Sequence, residues 1–246
     1  MYWNTADEIM ISDPELAILP VGSIEQHGPH LPVMTDWAIG AEVGRRVQAL
    51  TKGFLLPALP ISTCREQMGK KGSVWMEPPT FYHMMTDILL SLKTQGFRKV
   101  LIIQAHGGIF TMIPVVRDAN AKYNPDFMVF NFDLMMVSST CREEGILECS
   151  GEIHAGEGET SQMLVIAPET VHMELACDYI PDTPRSYLSY GAVLRFCPEG
   201  VWGTPTLATA EKGEQVLKRA AEMAVEEMKK AFAFMESKEK LNYSYF

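Results

Sequence analysis

A chain of 246 residues with 47% hydrophobic and 21% charged side chains carries enough apolar surface for a full core and lacks the bias of a disordered or fibrous sequence. Thirty-one acidic against twenty-one basic residues give a formal charge of -10, which repels phosphate backbones and anionic lipid and argues against nucleic acid or a membrane as partner. Cys64, Cys141, Cys149, Cys177 and Cys197 have no short paired spacing, so they read as reduced thiols of a cytoplasmic protein, and no Cys-x-x-Cys zinc unit occurs. The opening MYWNTADEIM has no basic region before Asp7 and Glu8, and no apolar stretch reaches the ~20 residues that span a bilayer.

Residues 16–21 form a short apolar run that ends at Gly22, and after a polar loop Asp36 begins a helical pattern through Ile39, Val43, Val47 and Leu50. Residues 54–59 read as a second strand, which Pro57 restricts to an edge or an end. Thr80 is placed to cap a helix over Phe81, Met84, Met85, Ile88, Leu89 and Leu92 that stops at Gly96, before a strand over 100–103. A helix over Met112, Val115, Val116 and Ala119 and a β-rich run over 127–130 follow. This alternation predicts an α/β fold with a mostly parallel sheet covered on both faces.

Residues 133–157 are more polar and read as an excursion around a site, after which residues 160–166 return to apolar periodicity. Four prolines with three tyrosines and a tryptophan across 178–206 predict irregular structure with short strands. From Glu211 to about Glu236, apolar positions recur every three and four residues and predict a long amphipathic helix. No internal repeat or boundary divides the chain, so one domain over 1–246 is expected.

Three clusters carry chemistry. In the first, Gly22-Ser23-Ile24-Glu25-Gln26-His27-Gly28-Pro29-His30-Leu31-Pro32 followed by Thr35-Asp36, oxygen and nitrogen donors lie at the carboxyl end of a predicted strand, where open α/β sheets place their sites. Glu25, His27 and Asp36 suit a divalent metal; the alternative is a polar loop with a surface histidine. The second cluster, Gln104-Ala105-His106-Gly107-Gly108, again sets a histidine just after a strand, and Gly107 and Gly108 permit close backbone approach to a ligand; alone it reads equally as a βα turn. The third, Glu152-Ile153-His154-Ala155-Gly156-Glu157-Gly158-Glu159-Thr160-Ser161, is either part of the same centre or an exposed acidic loop. Together they suit Zn, Mn or Fe in a nitrogen and oxygen site, with metal-assisted hydrolysis as the predicted reaction.

These motifs, in this order and across nearly the whole chain, resemble the creatininase family. That family also includes formamide deformylases of riboflavin and deazaflavin biosynthesis, a mycofactocin-maturing peptidase and hydrolases of oxidised inositols. The resemblance implies a three-layer α/β/α metallohydrolase of small molecules with two divalent metals per subunit. It also implies a homo-oligomer, often a hexamer. Residue by residue it makes Glu25 and His106 ligands of one ion, His27 a ligand of the other and Asp36 the bridge between them. In creatininase itself a further acid lies two positions after the second motif's histidine. Here that position is Gly108, and the resemblance to other branches with His-Gly-Gly implies Glu159 in its place.

His154 matches the histidine that assists proton transfer to the leaving group, with a structural role in its loop as the alternative. Glu157 is expected to hold a histidine ring or a water near the metals. His30 is expected to be structural or to face substrate, and Gln104 to tune the pocket or simply pack. Gly108, and Ser150 where creatininase has a tryptophan, argue against creatinine as substrate. Cyclic amides, formamides and cyclic ketones remain, including ring-opening of an inosose. A metal-binding structural or regulatory protein without turnover is the competing class.

Overall fold

The computed structural model describes residues 1–237, so residues 238–246 of the expected domain lie outside the described residues. Helix α1 (Ala6–Ser12) is closed by a reciprocal cap, the Thr5 hydroxyl accepting from the Glu8 amide and the Glu8 carboxylate from the Thr5 amide. No apolar stripe in the sequence predicts it, and it buries no residue. Next come β1 (Leu16–Val21), α2 (Thr35–Thr51), β2 (Phe54–Leu55), α3 (Pro78–Thr94), β3 (Lys99–Gln104), α4 (Met112–Tyr123) and β4 (Met128–Asp133). The four strands form one parallel sheet in the order β2-β1-β3-β4.

Alternation along the strands builds a core on each face of this sheet. Ile18, Leu101, Ile103, Met128 and Phe132 point to one face, where they meet Ile39, Val43 and Val47 of α2. Ala17, Leu19, Val21, Val100, Ile102 and Val129 point to the other, against Phe81, Met85 and Leu89 of α3 and Met112 and Val115 of α4. The result is the three-layer α/β/α arrangement that the alternation of strands and helices predicts.

The expected strand over 54–59 is shorter than predicted. β2 ends at Leu55 because Pro57 has no amide to continue the ladder, and Leu59 rejoins the sheet only through a single bridge to Val21. α3 begins before Thr80, with Pro78 and Pro79 in its first turn where amide hydrogens are not needed, so Thr80 is helical and not a cap. The polar excursion contains a further helix, α5 (Met135–Glu143), and α6 (Glu157–Ile166) starts ahead of the predicted apolar run.

The proline-rich stretch holds 3-10 turns and α7 (Val193–Phe196) in place of regular strands. Isolated bridges Tyr179↔Gly203 and His154↔Trp202 tie it to the rest. The long helix is α8 (Ala210–Glu236), capped by the Thr209 hydroxyl and packed with α2 and α6 on one face of the sheet. All five cysteines are free thiols, and no helix among the described residues is long and apolar enough to cross a membrane.

The chain leaves β1 toward β2 through α2 on one face and returns to β3 through α3 on the other. The carboxyl ends of β1 and β3 therefore flank a topological switch point, the crevice where open α/β sheets bind ligands.

Candidate functional site

The loop after β1 enters that crevice with Glu25 and His27, and the first turn of α2 brings Asp36 back beside them. A Cβ at Gly22 would stand 2.6 Å from the Trp37 amide nitrogen, so only glycine lets α2 start this close to the end of β1. His106 arrives from the end of β3. The third motif supplies His154 from a strap held by paired backbone bonds to Trp202, and Glu159 from the first turn of α6.

Glu25 is fully buried, and neither of its carboxylate oxygens has a hydrogen-bond partner. His106 Nδ1 lies 3.2 Å from Glu25 Oε2 and 3.2 Å from Asp36 Oδ2, while His27 Nε2 lies 3.1 Å from Asp36 Oδ1 and 3.9 Å from Glu159 Oε2. Three sets of side chains are close enough to share a metal ion: Glu25, Asp36 and His106; His27, Asp36 and Glu159; and Glu25, His27 and His154. Asp36 belongs to the first two, with Oδ1 toward one and Oδ2 toward the other.

Burial dominates the electrostatics. It lifts the Glu25 carboxyl to about 8 despite the neighbouring histidines. Asp36 is equally buried, yet His27 and His106, with its hydrogen bonds to them, hold it well below the usual carboxylate range. Burial works against a charge on His27 as well, but Asp36 outweighs it and raises the imidazole to about 10. Carboxylates and imidazoles packed this closely out of water form donor sets that suit a cation among them.

Local bonds orient the rings. The Nδ1 hydrogen of His27 points to the Glu25 carbonyl at 3.1 Å, leaving Nε2 toward Asp36 and Glu159. His154 packs on His27 with ring centroids 4.3 Å apart, and its Nε2 meets the Gln26 carbonyl at 2.7 Å. Its Nδ1 then faces the cluster, 3.7 Å from Glu25 Oε1 and 3.4 Å from Gln67 Nε2. Gln26 donates its amide to Gln67 Oε1 at 2.7 Å, which turns the Gln67 amide hydrogens toward His154.

The other sequence candidates have structural partners. His30 Nε2 pairs with the Thr160 hydroxyl at 3.0 Å, joining the first motif to α6, and burial lowers its imidazole to about 4. Gln104 donates to the His106 carbonyl at 3.2 Å and accepts from Asn131 at 3.0 Å, bracing the turn that carries His106. Glu157 departs from its expected place beside a site histidine or a metal water. Its carboxylate accepts from the Glu148 and Cys149 amides at 2.9 and 2.7 Å and from Lys212 Nζ at 2.6 Å, so it fastens the excursion to α6 and α8. Trp202 is buried against Phe196 as a packing residue.

Sequence reasoning missed Ser23, Gln26, Glu66 and Gln67. The Ser23 hydroxyl donates to Asp36 Oδ2 at 2.7 Å, and Glu66 Oε1 lies 2.8 Å from His106 Nε2. Ser23 and Gln26 sat inside the first motif, but Glu66 and Gln67 belong to a 3-10 turn in a segment with no periodicity to mark it. A cavity of about 590 Å³ opens over the cluster, lined among others by Glu66, His106, Gly108, His154, Glu159 and Arg185.

The family model described as creatinine amidohydrolase matches residues 1–228. The chain belongs to the creatininase family. Its curated relatives include a 3-dehydro-scyllo-inosose hydrolase of Thermotoga maritima, 30% identical over 82% of this chain and 72% of the relative. A mycofactocin precursor peptide peptidase of Mycolicibacterium smegmatis is 28% identical over 82% of this chain and 79% of the peptidase. A solved creatininase superposes with a TM-score of 0.79 at 23% identity, covering 94% of this chain and 97% of that one. A manganese form of creatininase gives 0.77 at 22%, over 94% of this chain and 98% of the other, so the fold is shared. This creatininase-family protein is a hydrolase, as its named relatives are hydrolases or peptidases.

Proposed function

We propose that the protein is a metal-dependent hydrolase of a small carbonyl compound: a cyclic amide, a formamide or a cyclic ketone. The observation that carries this reading is the fully buried Glu25 carboxylate, without hydrogen-bond partners, in a nest of Asp36, His27, His106 and Glu159. A buried carboxylate that accepts no hydrogen bond is costly, and a cation between these donors removes the penalty. The donor set fits a divalent ion such as Zn, Mn or Fe, and manganese in a related creatininase supports that choice.

Glu25, Asp36 and His106 would hold one ion, and His27, Asp36 and Glu159 a second, with Asp36 shared. Bound there, the ions supply Lewis acidity toward a carbonyl and acidify water. Ser23 holds Asp36 from behind through Oδ2, and Ala155 donates its amide to Glu159 Oε2 at 2.6 Å, so both carboxylates are aimed before substrate arrives.

His154 moves the proton. Burial and the neighbouring His27 depress its imidazole well below the ordinary value, so it is neutral, with hydrogen on Nε2 toward the Gln26 carbonyl. Its Nδ1 lone pair faces the cluster, where it takes the proton released by the attacking water and returns it to the departing nitrogen or carbon. The cavity over the cluster has the volume of a small-molecule site. The five free cysteines support residence in a reducing cytoplasm, and a homo-oligomer completes the proposal.

A second reading, ring-opening of an inosose, is favoured by the 30% identity to the Thermotoga enzyme. In that variant His154 protonates carbon where an amide would present nitrogen. The test is turnover of creatinine, an aromatic formamide and 3-dehydro-scyllo-inosose by protein reconstituted separately with Zn, Mn and Fe. Turnover of a formamide or of the inosose, abolished by chelation and restored by metal, supports the proposal and selects the branch. Stoichiometric metal without turnover of any of the three would point instead to a structural or regulatory role.

A further inference from the structure

We propose that Glu66 is a positioning residue for His106, and that its carboxylate, together with the ring it holds, is the reason residue 108 is glycine. This rests on the metal reading above and adds to it a residue outside all three sequence motifs. His106 is buried and presents its two ring nitrogens to opposite sides. Nδ1 faces Glu25 and Asp36 at 3.2 Å each, while Nε2 meets Glu66 Oε1 at 2.8 Å. An imidazole that gives one nitrogen to a metal must carry its hydrogen on the other, and a carboxylate there fixes the tautomer, holds the ring plane and makes the ligand nitrogen more basic.

The 3-10 turn Arg65–Gln67 therefore serves the two site histidines outside the first motif, Glu66 through His106 Nε2 and Gln67 through His154 Nδ1. The Thr63 hydroxyl donates to the Gly108 carbonyl at 3.4 Å and ties this segment to the turn after β3.

Gly108 supplies the second, independent observation. Its backbone is not in the left-handed region, so no conformational demand selects glycine there. A Cβ built on it would stand 1.8 Å from Glu66 Oε1 and 2.4 Å from His106 Nε2. The Glu66 carboxylate and the His106 ring it holds fill the space that a side chain at position 108 would need, so this pairing requires glycine at 108. The turn also lines the cavity, so the same carboxylate borders the space open to substrate.

The test is the affinity for Zn and for Mn, measured by competition with a chelator of known affinity, in wild type, Glu66→Ala, Glu66→Gln, Gly108→Ala and the double alanine variant. Circular dichroism and melting in chelator establish that each is folded. Glu66→Ala is expected to weaken binding about 10–100-fold, in the range found for the outer partners of metal-bound histidines. Gly108→Ala should weaken binding at least as far, because its Cβ meets the His106 ring as well as the carboxylate, and the double variant should be no worse than Gly108→Ala alone. In the zinc form, a long-range proton–nitrogen spectrum should show His106 with hydrogen on Nε2 in wild type and lose that resonance in Glu66→Ala.

If Glu66→Ala fails to fold, the isosteric Glu66→Gln and the spectrum decide the matter. Wild-type affinity in the folded Glu66 variants, with the His106 resonance unchanged, would overturn the positioning role while leaving the metal reading intact. Wild-type protein that binds neither ion would overturn the metal reading itself and this role with it.

Discussion

Glu25 and His154 sit 3.7 Å apart yet play opposite parts, and the difference lies in what each is bonded to. Glu25 has both oxygens free for a cation, whereas His154 is pinned through Nε2 and keeps only Nδ1 for chemistry. Replacing His154 with glutamine should therefore leave metal content near that of wild type and lower turnover by about 10²–10⁴-fold, the range for a lost proton carrier. Loss of bound metal in the same variant would make His154 a ligand and remove its role in proton transfer. The residues that sequence reasoning could single out were those whose chemistry is unusual for a loop: two histidines and two acids packed around Gly28 and Pro29, and a histidine followed by paired glycines. Glu66 and Gln67 look ordinary in sequence. Their importance comes from the turn that folds them over residues 106 and 154, which no local pattern encodes.

Glu157 belongs to the scale of elements. In sequence it stands between His154 and Glu159 and shares their apparent chemistry, but the direction of the first turn of α6 separates them. Glu159 faces the cavity, while Glu157 turns back to the excursion and to Lys212 of α8. Glu157→Gln should leave metal affinity unchanged and destabilise the fold by about 1–3 kcal/mol, since a buried acceptor of two amides loses its charge and its lysine partner. Denaturant unfolding and metal titration of the same variant separate the two effects, and a drop in metal affinity at unchanged stability would restore Glu157 to the site. Elements with a long period were legible: α2, α3, α4 and α8 each lie where their apolar stripe places them, because burying a stripe against a sheet is what forms them. The full length of β2 and the short strands expected over 178–206 were not, although the irregular character of that stretch was. There Pro57 and the clustered prolines interrupt backbone pairing, and single bridges replace ladders.

At the scale of the whole molecule, the order β2-β1-β3-β4 decides where chemistry can occur, because it opens a crevice between the carboxyl ends of β1 and β3. Strand and helix alternation was enough to predict the parallel sheet and its covering layers. The strand order, and with it the meeting of three motifs spread over more than a hundred residues of sequence, depends on crossovers that sequence does not reveal. The same meeting ties stability to the metal. Donors from the loops after β1 and β3 and from the first turns of α2 and α6 are together only in the folded chain, so a bound ion should raise the melting temperature, by the equivalent of about 2.7 kcal/mol when free metal is 100 times its dissociation constant.

The central claim is that these donors bind metal and that hydrolysis depends on it. Its most direct test is elemental analysis of the purified, reconstituted protein together with turnover of the same sample, with Glu25→Gln and Asp36→Asn as controls. The proposed metal site predicts about two Zn, Mn or Fe ions per chain, and loss of both metal and activity when the shared Asp36 is replaced. A folded protein that takes up no divalent metal after reconstitution, or an Asp36→Asn variant that keeps full metal content and activity, would contradict it.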